Sequence, residues 1–159
     1  MIKSYGLHWH EKYISWGWPK HKGTLLGAAS RSKHASKVDF RDQRGVYALF
    51  AEYELVYIGQ TGAKSDRLFN RLKTHKNDHL SERWNRFSWF GLQWVTKDHF
   101  LSKDIAANKA STVEVLNILE AITIAISEPR LNLQRGRWSG STQYFQFIEG
   151  EDQEDENYE

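Results

Sequence analysis

The chain has 159 residues and no cysteine, which fits one domain with a single core and excludes disulfides and thiolate metal sites. Its formal charge of +2 hides a division: residues 149–159 hold seven acidic side chains and no basic one, so residues 1–148 carry 22 basic against 13 acidic groups, a net of +9. A basic body with an acidic tail points to a polyanionic partner. No apolar run approaches the roughly 20 residues of a membrane span and no signal-peptide h-region is present, so the expected setting is cytoplasmic and reducing, with no membrane.

Residues 1–44 form a basic and aromatic lead-in. His8-Trp9-His10 precedes Tyr13, Trp16 and Trp18, with Gly17 and Pro19 as punctuation. Alternation in an extended segment places His8 and His10 on one face, but two histidines without a third partner make a poor metal site. The expected use is a strand whose tryptophans pack on the core. Residues 20–37 hold Lys20, His21, Lys22, Arg31, Lys33, His34 and Lys37 among Gly and Ser. They read as a basic loop with a short helix at 25–30, either simply solvated or a phosphate-contacting arm.

Residues 45–61 read as two strands joined by a tight turn, from their β-branched and aromatic content and turn-prone ends. An odd-numbered loop, such as 51–53, would set Tyr47 directly opposite Tyr57 on one face. An even loop would set them on opposite faces. Gly59 permits a tight turn or a close approach. A helix is expected at 67–80, capped by Ser65 or Asp66. Leu68, Phe69 and Leu72 give it an apolar face, and Arg67, Arg71 and His75 run along one side at i, i+4 and i+8. Residues 86–95 are the most apolar strand candidate, with large side chains on both faces, as for a central strand covered on both sides. Residues 96–110 are polar and loop-like.

The second helix is expected at 112–127, opened by a Ser111-x-x-Glu114 capping box. Its apolar residues cover most of the circumference, so it reads as mainly buried. One polar stripe remains: Asn117, Glu120 and Thr123, continued by Ser127. A carboxylate in such surroundings needs a cation. Glu114 is explained by the cap and Glu120 is not. Pro129 stops the helix, Arg135-Gly136-Arg137-Trp138 forms a basic loop, 144–148 reads as a last strand, and the tail should be disordered.

Taken in order, these residues resemble a GIY-YIG nuclease domain. Gly45-Val46-Tyr47 stands for the first half of the motif, with Val for Ile, and Tyr57-Ile58-Gly59 matches the second. Arg71-Leu72-Lys73-Thr74-His75 resembles the family's arginine helix. Leu119-Glu120-Ala121 through Asn132 resembles its glutamate helix and closing asparagine. The resemblance covers about residues 45–132. It implies an α+β fold with a small antiparallel, centrally three-stranded sheet flanked by helices, and hydrolysis of a DNA phosphodiester with one Mg²⁺ or Mn²⁺ per site. By position, Glu120 would ligate the metal and Arg71 would contact the scissile phosphate. Tyr47 would be the general base or orient the water, with Tyr57 hydrogen-bonding nearby. His75 would support the site and Asn132 would order the adjoining loop. Gln60 stands where some members have lysine. Arg67 lies ten residues after Tyr57, a spacing some members share, but Arg71 fits the R-L-x-x-H context better.

The organisation expected is a packed extension (1–44), a nuclease domain (45–148) and an acidic tail (149–159). DNA is the expected partner, with RNA left open. Arg67, Lys73, Arg130, Arg135 and Arg137 supply the grip, and Trp138 lies against a base or sugar. One site cuts one strand, so cutting both requires a homodimer or sequential nicking. The alternative is a nucleic-acid-binding module that keeps the fold without cutting.

Overall fold

The structure, a computed structural model, describes residues 1–62, 64–105, 110–127, 136, 138 and 140–149. The fold is mixed α and β. In chain order the elements are β1 (Ser4–His10), β2 (Ser15–Trp18), β3 (His21–Thr24), β4 (Leu26–Ala28), β5 (Val38–Asp39), β6 (Gly45–Ala51), β7 (Glu54–Thr61), α1 (Leu68–His75), β8 (Arg86–Gly91), α2 (Thr112–Ser127), β9 (Thr142–Gln143) and β10 (Phe145–Gln146). The largest sheet runs β7-β6-β8-β1-β9, β10-β4-β5 form a second, and β2-β3 a two-stranded hairpin. The N-terminal strand is thus part of the main sheet, antiparallel to β8.

The strand period of two divides the core between the sheet's faces. Tyr47, Leu49, Phe87 and Trp89 share one core with Leu68, Phe69 and Leu72 of α1. Their neighbours in sequence, Ala48, Phe50 and Phe90, share the other with Ile118 and Ile126 of α2. β8 is buried on both faces, as its composition requires, but ends at Gly91 rather than at residue 95.

The hairpin register differs from both loop expectations. The turn is the two-residue Glu52-Tyr53, with Glu52 at φ 54°, and Ala51 pairs with Glu54. An even loop alone would separate the tyrosines. A bulge shifts the register between Leu49 and Phe50, so Leu49 opposes Tyr57 and Tyr47 opposes Gly59. The extra residue, Val56, returns the tyrosines to one face as diagonal neighbours, with ring centroids 6.2 Å apart.

Other expectations fail for local reasons. Residues 25–30 contain β4 rather than a helix, because Leu26 and Gly27 pair with Asp39 and Val38. The first helix is shorter than 67–80. Its N-cap is Arg67 without a side-chain cap; the Leu68 and Phe69 N–H groups donate instead to the Gln43 and Arg41 carbonyls. At its other end the Trp84 indole donates to the His75 carbonyl at 3.1 Å. His8, at φ 50° beside the β1 bulge, packs on Phe50 and Tyr53, whereas His10 packs on Tyr13 and its Nδ1 accepts from Lys12 N–H. The pair is therefore divided between two packing jobs. Of the 144–148 stretch only Phe145–Gln146 is strand, β10, which pairs with β4, and the separate β9 before it pairs with β1.

The helix α2 spans the expected residues, and both capping-box bonds form: Ser111 N–H to Glu114 Oε2 at 2.7 Å and Glu114 N–H to Ser111 Oγ at 3.3 Å. It is not mainly buried. Only Ile118, Ala121 and Ile126 are buried, while Val113, Leu116 and Leu119 are more than half exposed. Among the described residues no helix is long and apolar enough to cross a membrane.

Candidate active site

Four of the six residues expected to carry the chemistry meet on the α1 side of the sheet. The centre is Tyr47, whose side chain is fully buried. Its hydroxyl lies 2.8 Å from His75 Nε2 and accepts from Arg71 Nε at 3.3 Å. The Tyr57 ring lies 4.9 Å from the His75 ring and 6.2 Å from the Tyr47 ring. The helical period explains the convergence. Leu68, Leu72 and His75, at i, i+4 and i+7, point into the core, and Arg71 flanks that stripe. A cationic and an imidazole side chain therefore arrive together over Tyr47.

Gly59 makes room for this. It stands opposite Tyr47 in the ladder, and a Cβ there would fall against Cζ and the hydroxyl of Tyr47 and 2.8 Å from Cε1 of Tyr57. The phenol of Tyr47 lies across the glycine backbone. The close approach expected at Gly59 is made by the protein's own tyrosine.

The site contains a fifth residue. Asp78 Oδ2 lies 2.8 Å from His75 Nδ1, and Asp78 Oδ1 accepts from Leu80 N–H at 2.8 Å. Partial desolvation opposes ionisation of Asp78, but the Leu80 N–H and His75 outweigh it and hold the carboxyl below its ordinary value. As carboxylate it takes Nδ1–H from His75, which leaves Nε2 as an acceptor for the Tyr47 phenol. Burial raises the Tyr47 pKa, partly offset by the Arg71 hydrogen bond, so the phenol keeps its proton and donates it to Nε2. The Tyr47 hydroxyl in turn raises the Arg71 pKa. The result is a hydrogen-bonded series from Arg71 through Tyr47 and His75 to Asp78, with the half-buried Tyr57 ring packed beside it. The only signal for Asp78 in the sequence is its spacing three residues after His75, which is too common to single it out.

Other residues fall elsewhere. Arg67 donates to the Lys64 and Asp66 carbonyls and does not reach Tyr47, so Arg71 is the arginine of the cluster. Lys73 is exposed, with Nζ 3.5 Å from the Trp16 carbonyl. Trp138 is stacked on Tyr5 at 4.3 Å and on Phe90 at 5.5 Å, so its ring serves packing rather than a base or sugar. Asn132, Arg130, Arg135 and Arg137 lie outside the described residues.

Glu120 is exposed, with no hydrogen-bond or ion-pair partner among the described residues. Its helix packs its buried side on the sheet face opposite Tyr47. The burial that singled it out in the sequence is absent, because the α2 surface around it faces solvent. In donor type the residue still suits Mg²⁺, which keeps several waters and takes one or two carboxylates with substrate phosphate. Among the described residues no three His, Asp or Glu side chains gather to hold a metal by themselves.

Compared with known proteins, the chain matches no family model, no curated protein and no solved structure.

Proposed function

We propose that the chain is a GIY-YIG-type endonuclease that hydrolyses DNA phosphodiester bonds with one Mg²⁺ or Mn²⁺. The observation that carries this reading is the convergence of Tyr47, Tyr57, Arg71 and His75 around one hydroxyl, on motif positions spread over 29 residues of sequence. The antiparallel run β7-β6-β8, with α1 on one face and α2 on the other, supports the finer fold expectation of a three-stranded centre flanked by helices.

Phosphodiester hydrolysis needs an in-line water, neutralisation of the non-bridging oxygens and help for the leaving oxygen. Tyr47 is buried beneath its neighbours, so the partly exposed Arg71 and Tyr57 are the groups that would meet the phosphate and the water. Arg71, held by Tyr47 through Nε, would turn its remaining guanidinium donors to a phosphate oxygen. Tyr57 would orient the attacking water, whose proton would leave to solvent, while Tyr47, held by His75 and through it by Asp78, would fix Arg71 in place. Glu120, on the helix that packs against the opposite face of the sheet, is the residue the resemblance gives for holding the metal, which when bound would supply Lewis-acid stabilisation.

The exposed, isolated position of Glu120 favours a second reading, a module that grips nucleic acid without cutting. Plasmid nicking with and without Mg²⁺ separates the two, comparing wild type with Glu120→Ala and Glu114→Ala. The nuclease reading expects cutting that needs Mg²⁺, is lost in Glu120→Ala and survives in Glu114→Ala. Tight binding without cutting on plasmid, branched and single-stranded substrates would leave the binding module.

A further inference from the structure

The β2-β3 hairpin presents its least expected residue at its tip. Trp18 is 62 % exposed, and among the described residues the one ring packed on it is that of His21, at 4.6 Å and 42°. The base of the hairpin is anchored. Trp16 packs on Phe69 at 5.7 Å, Lys76 Nζ lies over the Trp16 ring at 5.5 Å, and Arg41 donates to the Gly23 carbonyl. The register Gly17–Lys22 and Trp18–His21 closes over a Pro19-Lys20 turn, with Lys20 at φ 80°. Gly17, at φ 84°, leaves no space for a Cβ, which would sit 2.6 Å from Gly23 N. The strands are therefore tightly paired, and Trp18 is held out on a fixed scaffold.

Its surroundings are cationic. Lys20 and His21 are exposed beside it, Lys22 is exposed on the ribbon's other face where it pairs with Gly17, and residues 14–38 contain no Asp or Glu. Arg31 and Lys37 in the same stretch are exposed and place their charges over the protein's own rings, Phe145 at 4.9 Å and Phe147 at 3.8 Å. The hairpin leans on Phe69 and Lys73 of α1 and on Lys76 just past its end, and α1 is the helix that brings Arg71 and His75 to Tyr47. An exposed indole among cations fits a nucleobase between phosphates, because every base offers a π face and the flanking charges take the backbone. A base within a duplex already has both faces covered.

We propose that the hairpin grips nucleic acid by stacking Trp18 on an unpaired base while Lys20 and Lys22 meet the adjoining phosphates. The substrate of the neighbouring site then carries a single-stranded or extrahelical nucleotide, a conclusion that rests on the nuclease reading, whereas the binding itself does not.

The test is fluorescence anisotropy with a labelled single-stranded DNA and the same sequence as a blunt duplex. Wild type is compared with Trp18→Ala, Trp18→Phe and the double variant Lys20→Ala/Lys22→Ala. Trp18→Ala should weaken single-strand binding about 5- to 100-fold, leave duplex binding within about twofold and keep the salt slope. Trp18→Phe should recover most of the loss, which a folding defect would not allow. The lysine variant should flatten the slope of log K against log[salt] by about 1.4. Equal single-strand affinity for Trp18→Ala and wild type, or equal losses on both DNAs, would overturn the proposal. So would Trp18-dependent binding to phosphatidylserine vesicles without single-strand binding, which would make the tip a membrane anchor. A wild type that binds single strands through Trp18 but cuts nothing removes the nuclease reading and the substrate assignment, and leaves the grip standing.

Discussion

The two helices treat their polar residues in opposite ways. α1 turns His75 and Arg71 inward, and each meets a partner: Asp78 and Tyr47 for the imidazole, Tyr47 for the guanidinium. α2 leaves Glu120 in solvent and keeps only three side chains buried. A buried polar group must be satisfied by the fold itself, so the tyrosine cluster is built into the stability of the protein. An exposed carboxylate costs the fold nothing and is left for an ion or a partner to use. The folded chain thus carries one half of the proposed chemistry in its core, and the other half depends on what binds.

This contrast can be broken most strongly at the apolar contacts of each helix. Leu72→Ala should destabilise by about 2–5 kcal/mol, whereas Leu119→Ala should stay within about 0.5 kcal/mol, as read by denaturant melts. A large loss at Leu119 would mean that its face is covered. Next in size is Gly59→Ala, whose Cβ collides with the Tyr47 phenol. It should cost about 1–3 kcal/mol and, by moving the cluster, slow any cleavage about a hundredfold. Wild-type stability and rate would show that the ring can yield.

The pH dependence sharpens the same contrast. Tyr47 has a raised pKa in the folded state, so its contribution is complete below the unfolded value of about 10 and is lost as pH rises through the folded value. The wild-type melting temperature should therefore fall more steeply above about pH 10 than that of Tyr47→Phe. Identical alkaline slopes would contradict burial of this hydroxyl. The smallest effect belongs to Asp78, whose folded pKa is lowered. Its contribution is present above about 3.9 and is lost as pH falls through the folded value. The gap between wild type and Asp78→Asn should narrow in melts taken below about pH 4.

The legible parts of the sequence were those governed by local period and composition. The hairpin, the apolar face of α1, the doubly covered β8 and the capping box of α2 all follow from side-chain spacing. The grouping of Tyr47, Tyr57, Arg71 and His75 was legible as motif order, but its geometry was not, since one bulged residue decides which face Tyr57 takes. Long-range partners were invisible. Nothing local shows that Gln43 bonds Ser4 and Gln93 within the core, or that the carbonyls of Arg41 and Gln43 cap α1. The burial of α2 was overestimated because a run of apolar residues does not state how many neighbours surround it. Glu120 therefore has no buried environment to mark it, and its motif position is what distinguishes it from the other exposed carboxylates.

The central claim is that the cluster on the α1 face cleaves DNA. It is tested most directly by the single-turnover rate of Mg²⁺-dependent cleavage in wild type and in Arg71→Ala, with folding of the variant checked by its melting curve. The expected result is a fall on the order of a hundred- to a thousandfold in a folded variant, as for loss of a donor to developing charge. Cleavage by folded Arg71→Ala at the wild-type rate would contradict it.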